Sequence, residues 1–400
     1  MSLSKRISNI SSSVTLAITA KEKAMKANGI DVIGFGAGEP DFDTPPHIKK
    51  AAKLALDEGF TKYTPAAGIK ELKEAICDKF RKDNNLTYAS EEVLVSCGAK
   101  HSIFNAILAL CEKGDEVILP SPYWVSYPEM IKIAEARPVI LKTAQETIFK
   151  IKPDQLSKAI TPKTKLLILN SPANPTGSVY AKEELEALAE VITEAGIFCL
   201  SDEIYEKIIY DNNQHISIAS LGEDIKKQTI VINGVSKSYS MTGWRIGYAV
   251  GEKKIIQAMS NLQSHSTSNP TSISQKAAIA ALSGGEEEMK MMVEEFKKRR
   301  DYMFDRLNKI KGICSLKPGG AFYIFADVSG VLKKASFNGK AMKDSLSFAE
   351  ILLSEAKVAV VPGEAFGAAG FLRFSYATSM QDITAGLDRI EKFINKILPN

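Results

Sequence analysis

Between residues 94 and 251 the chain alternates short β-rich apolar runs with helical patterns, a rhythm that few folds accept. The runs are VLVS at Val93, EVILP at Val117, RPVILK at Val139, KLLILN at Leu166, GIFCLSDE at Phe198, TIVINGVSK at Val231 and WRIGYAVG at Ile246. Between two of them, residues 182–195 place Leu185, Leu188 and Ile192 on one helical face, the period of a helix packed on a sheet. Strand, helix, strand repeated in this way predicts a mostly parallel sheet covered on both faces, because parallel neighbours need a crossover connection. The expected fold class is α/β.

Two segments fall outside the alternation. The start, up to about Pro46, reads as irregular and is Gly-rich in GFGAGEPDF (34–42). The end opens near Gly284 with a long charged helix and passes through KPGGAFYIF to a final helix. We expect these ends to meet in a smaller α+β domain (1–44 with 284–400) beside a large domain (45–283). A chain of 400 residues, 45% apolar and 24% charged, is long enough for both cores.

Composition excludes several classes of function. The net charge of +4 arises from 51 basic and 47 acidic residues interspersed along the chain, so there is no basic stripe for nucleic acid. Five cysteines, far apart and never spaced as CxxC, argue for reduced thiols in a cytosol rather than disulfides or structural zinc. None of the four histidines sits in an HExxH pattern, and no metal is expected. No apolar run approaches the roughly 20 residues of a membrane span. The Ser-rich start with Lys5 and Arg6 has the flavour of an organelle leader, but its apolar part is short and broken by Thr15 and Thr19. GFGAGE fails as a dinucleotide fingerprint because Glu39 stands where the third Gly belongs, and no GxxxxGK[ST] loop occurs. Trp244, Phe322 and Tyr323 read as packed core.

In open parallel sheets ligands sit at the carboxyl ends of the strands, and the polar residues there are unusual. KLLILN is followed by SPANPTG, GIFCL by Ser201 and Asp202, and TIVIN by Gly234, Ser236 and Lys237. A Lys at the end of a buried strand can be desolvated, which lowers its pKa and lets the neutral amine attack an aldehyde. An Asp on the neighbouring run can pair with a protonated pyridine nitrogen. Taken singly, such residues are more often a solvated Lys and a helix-capping Asp.

Their order is more specific. NSPANPTG, SDEIYE, SKSYSMTGWRIGY and a late Arg in FLRFSYA together resemble the class I and II aminotransferases, fold-type I pyridoxal-phosphate (PLP) enzymes, with likeness from Thr15 to Ser379. Within that family the chain looks most like bacterial aspartate aminotransferases of the subgroup with thermophilic members. The resemblance implies that Lys237 carries PLP and moves the proton, that Asp202 binds the pyridine nitrogen, and that Tyr205 and Asn174 bind the ring 3′-oxygen. It implies Trp124 on the ring face, and a phosphate site made by Gly98, Ala99 and Lys100 at a helix start with Ser236 and Arg245. Tyr63 would reach in from a second subunit, so a homodimer is implied. Arg373 would clamp the substrate α-carboxylate and Gly38 would close over it.

Relatives that prefer dicarboxylic substrates carry a Thr and a Lys matching Thr15 and Lys100. Aspartate is therefore the expected donor and 2-oxoglutarate the acceptor. Prephenate is compatible with the same pair, although relatives that use it tend to carry a basic residue where this chain has Ser11 to Ser13. Aromatic substrates, and a β-lyase or carboxypropane synthase built on the same Lys237, Asp202 and Arg373, stay open. A non-enzymatic regulator would be expected to have lost Lys237 or Asp202.

Overall fold

A computed structural model describes residues 4–334, 336–337 and 340–398. All seven apolar runs form strands of one sheet: Val93–Ser96 (β1), Glu116–Ser121 (β2), Arg137–Lys142 (β3), Thr164–Asn170 (β4), Phe198–Asp202 (β5), Thr229–Gly234 (β6) and Gly247–Val250 (β7). Their spatial order is β1-β7-β6-β5-β4-β2-β3. Neighbours are parallel except that β7 runs against both β1 and β6.

Every residue of β6 is buried, as in a strand covered on both faces, whereas β3 at the sheet edge alternates with solvent and tolerates Pro138. Strand pleating splits the apolar residues between the faces. Leu166 and Ile168 pack with Leu119, Leu200 and the helix Ala99–Leu110. Leu167 and Leu169 turn the other way, onto Leu185, Leu188 and Ile192 of the helix Lys182–Ala195. Each such buried side chain contributes about 1.5–3 kcal/mol. That helix stops at Gly196, whose φ of 65° is the left-handed cap that Gly adopts without strain.

The two ends of the chain meet. Ile33–Gly34 pairs in parallel with Val358–Ala359. Beside them, Cys314–Ser315 (β8), Tyr323–Asp327 (β9), Val361–Pro362 (β10) and Phe371–Ser375 (β11) form an antiparallel sheet in the order β10-β11-β9-β8. The helices Glu287–Leu307 and Met380–Ile397 cover it through Phe296, Met303, Leu387 and Ile394. This core also takes in Ile204, Tyr205, Ile208 and Tyr210, which follow β5, so the end of the large sheet is tied to the second unit.

The start is less irregular than expected. Val14–Ala27 is a helix whose cap, Ser13, accepts the Leu16 N–H at 3.4 Å. Its apolar face is thin and Glu22 is its only residue classed as buried, so the periodicity that betrays a packed helix is weak. The five cysteines are free, and among the described residues no helix is long and apolar enough to cross a membrane.

Candidate active site

Adjacent parallel strands deliver their carboxyl ends to one point. β5 ends at Asp202, β4 ends at Asn170 with Asn174 four residues on, and β6 leads into Ser236 and Lys237. A cavity of about 400 Å³ opens there. It is lined by Thr15 and Gly38 from the N-terminal segment, Ala99, Lys100 and Trp124 from the large unit, and Arg373 from β11. Asn174, Asp202, Tyr205, Ser236, Lys237 and Arg245 complete the set of expected residues found in the lining.

Lys237 donates from Nζ to the Gly38 carbonyl at 2.5 Å. Desolvation brings its amine down to about 8, helped by the Arg245 and Arg373 charges and opposed by Glu39 and Asp202. Burial pushes the Asp202 carboxyl the other way, up to about 6. The Tyr127 hydroxyl, donating to Asp202 Oδ2 at 2.6 Å, and the Ile204 N–H, at 3.3 Å from Oδ1, favour its charged form.

Arg373 is buried between the rings of Tyr323 and Phe366, 4.4 and 5.1 Å from its guanidinium carbon. It donates to Asn174 Oδ1 at 3.0 Å and to the Gly36 carbonyl at 2.7 Å, while Nε has no partner. Among the described residues no carboxylate pairs with it. Lys100 lies over the Trp124 ring at 4.9 Å, and burial followed by the Arg245 charge holds its amine below the usual range.

Two expected residues lie outside the lining. The Gly98 N–H donates to the Ser96 carbonyl at 2.7 Å, so the donors at this helix start are Ala99 and Lys100, whose N–H groups have no intrahelical acceptor. Gly98 matters instead through its φ of 91° and its missing Cβ, which would run into the Arg245 guanidinium. Tyr63 is 91% exposed and away from its own chain's cavity.

Three lining residues carry contacts that the sequence reading missed. Tyr127 stands three positions after Trp124 and meets its ring edge-on at 5.3 Å. Tyr323, read as core, is fully buried, yet its hydroxyl bonds that of Tyr205 at 2.8 Å. Glu39 accepts from Thr242 Oγ1 at 3.0 Å. Phe322 is core as read, and Trp244 packs at the margin of a core with its indole N–H on Thr44 Oγ1 at 2.9 Å.

Among the described residues, Glu203, Glu206 and His215 have metal-like proximity, their ligand atoms lying within 4.8 Å of one another. Their carboxylates are already engaged. Glu203 accepts from Ser201 at 2.8 Å and Ser217 at 2.7 Å and meets His215 Nε2 at 3.0 Å, while Glu206 pairs with Lys79 and accepts from Asn84 at 3.1 Å.

A family model described as "Aminotransferase class I and II" matches residues 30–390. The chain belongs to that family. Its members are PLP-dependent, and this chain is a PLP-dependent aminotransferase of the α/β fold-type I architecture. It is 52% identical over 394 residues to a Geobacillus stearothermophilus protein named aspartate aminotransferase, covering 98% of this chain and 99% of that one. It is 48% identical to a Nitrosomonas europaea protein named aspartate/prephenate aminotransferase, covering 99% of this chain and all of that one. The Thermus thermophilus aspartate aminotransferase solved with maleate superposes with a TM-score of 0.92 at 43% identity, over 98% of this chain and 99% of the other.

The lining fits PLP at both ends. Free N–H groups at a helix start, with Ser236 and Arg245 beside them, suit a phosphate, and a desolvated amine with a buried carboxylate suits an aldehyde-bearing pyridine.

Proposed function

We propose that this aminotransferase transfers the amino group of L-aspartate to 2-oxoglutarate, reversibly and in two half-reactions, releasing oxaloacetate and then L-glutamate. The observation that carries this reading is a pair of cations, Arg373 and Lys100, that line one cavity with Lys237 and have no carboxylate partner among the described residues. A dicarboxylate would satisfy both. At about 1.5–3 kcal/mol for each charge-assisted contact, the second one favours a dicarboxylic over an uncharged substrate by one to two orders of magnitude. The names of the Geobacillus and Thermus relatives, and the dicarboxylate maleate held by the latter, support the same reading.

Each residue has a task that follows from its chemistry. Arg373 grips the α-carboxylate, pre-aimed by Asn174 and the Gly36 carbonyl. Thr15 and Lys100 take the distal carboxylate. Lys237, whose desolvated amine gives up its proton far more readily than an ordinary lysine, carries the proton to and from the substrate α-carbon. Bound PLP supplies an aldehyde for the amino group and a ring that draws electrons from that carbon. Asp202 holds the ring nitrogen, Asn174 and Tyr205 the 3′-oxygen, and Trp124 covers the ring face and keeps water off it. Ala99, Lys100, Ser236 and Arg245 hold the phosphate, with Gly98 leaving room for Arg245.

We further propose a cytoplasmic homodimer in which Tyr63 of one subunit serves the other's phosphate site, its 91% exposure within one chain being the support. The unit made of 1–44 and 284–400 is proposed to close over 45–283, drawing Gly38 onto the substrate. A second reading, shared use of prephenate, is favoured by the Nitrosomonas relative's name.

The test is the visible and near-ultraviolet spectrum of PLP-loaded protein during addition of L-aspartate and then 2-oxoglutarate. Aspartate should bleach the cofactor band, 2-oxoglutarate should restore it, and Lys237→Ala should not cycle. A band that aspartate leaves unchanged would overturn the donor assignment and leave prephenate and aromatic donors to be assayed.

A further inference from the structure

Asp202 has a partner that no cofactor contact requires. Tyr127 is fully buried, and its hydroxyl points its proton at Asp202 Oδ2 across 2.6 Å. The ring is fixed from the side by the edge-on contact with Trp124, and its backbone lies at the start of the helix Tyr127–Ile133. The other oxygen, Oδ1, accepts from the Ile204 N–H at 3.3 Å, so both oxygens of the carboxylate are oriented by donors of this chain. The charges that act on this carboxylate are Glu203 next to it, which disfavours ionisation, and Lys237, which favours it.

We infer that Tyr127 is a positioning residue that keeps the proton shared by Asp202 and the ring nitrogen on the nitrogen. This rests on the assignment of Asp202 to the pyridine nitrogen. The argument is one of relative basicity. A carboxylate that accepts a short hydrogen bond from a phenol has less charge to offer a second proton, so it is the weaker base of the pair. The proton then stays on the pyridine, where its positive charge makes the ring withdraw electrons. Without the phenol, buried Asp202 becomes more basic and takes the proton, leaving a neutral pair and a poorer electron sink. Tyr127 has its hydroxyl proton committed to Asp202, and it acts on the ring through that carboxylate.

The test compares the holoenzyme with Tyr127→Phe, which keeps the ring and its packing on Trp124. Both are loaded with PLP carrying nitrogen-15 in the ring, and the nitrogen chemical shift is read across pH 6–9. In the parent the shift should be that of a protonated pyridine. In Tyr127→Phe it should move toward the neutral form, with kcat for aspartate down roughly tenfold, one pKa unit's worth, and KM within about twofold. Loading both proteins with N-methylated PLP, whose ring charge is permanent, should bring their rates together. An unchanged nitrogen shift in the variant would overturn the inference, as would a rate defect of the same size with the N-methylated group, since that is what lost packing alone would give. A neutral ring nitrogen in the parent protein itself would instead overturn the Asp202 assignment.

Discussion

A lysine stripped of water gives up its proton more readily, and that fact governs the pH at which the free amine of this site can take up an aldehyde. At about 8, Lys237 is roughly half neutral at a pH where an ordinary lysine is less than about 1% neutral. Only the neutral amine attacks an aldehyde, so the sign is fixed: capture of PLP by the cofactor-free protein should quicken as pH rises through about 8 and level off above it. Stopped-flow absorbance across pH 6.5–10.5 measures this, and a rate still climbing at pH 10 would mean that the ammonium is solvated. The residues of this cavity differed in how well the sequence exposed them. Lys237, Asp202 and Asn174 were legible because each follows an apolar run at its carboxyl end, where an open sheet collects ligands. Tyr127 and Tyr323 were not. Neither stands at the end of an apolar run, and what distinguishes each is where its hydroxyl goes: to Asp202 on β5 for Tyr127, and to Tyr205 after β5 for Tyr323. Partners 75 and 118 residues away leave no local trace.

At the scale of elements, the sheet was readable because strands buried on both faces are written as unbroken apolar runs, whereas the strand order and the reversal of β7 are set by contacts between distant runs. The helix Val14–Ala27 was hidden by the opposite circumstance, since a helix lying over the surface needs little apolar face. The most demanding junction is the turn from β1 into the helix Ala99–Leu110. Gly98 there holds φ at 91° with the Arg245 guanidinium in the space a Cβ would take, so the turn, the helix start and the guanidinium fit together without a side chain. Gly98→Ala adds both a strained φ and a collision. It should push Arg245 off the helix start and weaken PLP binding at least about tenfold, because the charge-assisted contact proposed between Arg245 and the phosphate is disturbed. The loss should appear in a fluorescence titration of the cofactor-free protein. Free pyridoxal, which has no phosphate, should bind both proteins within about twofold of each other, as the rest of the cavity is untouched. An equal loss for both ligands would instead mean that the β1 turn had misfolded.

The whole molecule joins what the sequence separates. Arg373 on β11 bonds Asn174 after β4 and the Gly36 carbonyl near the N-terminus, so one guanidinium ties three distant segments at the cavity. Lys237 on Gly38 and Thr242 on Glu39 add two more links between the large sheet and the N-terminal segment. Tyr63, 91% exposed, is the expected residue that stands outside this network on the open surface of its own chain. If Tyr63 completes the partner's phosphate site, defects in different chains should complement. A dimer of one Lys237→Ala chain and one Tyr63→Ala chain has one site with both defects and one with neither. Unfolding and refolding the two variants together at equal amounts makes about half of the dimers mixed, each with one intact site of two, so about a quarter of the parent activity should return. If Tyr63 instead served its own chain, every site in the mixed dimer would carry one defect, and activity would stay at the mean of the two variants.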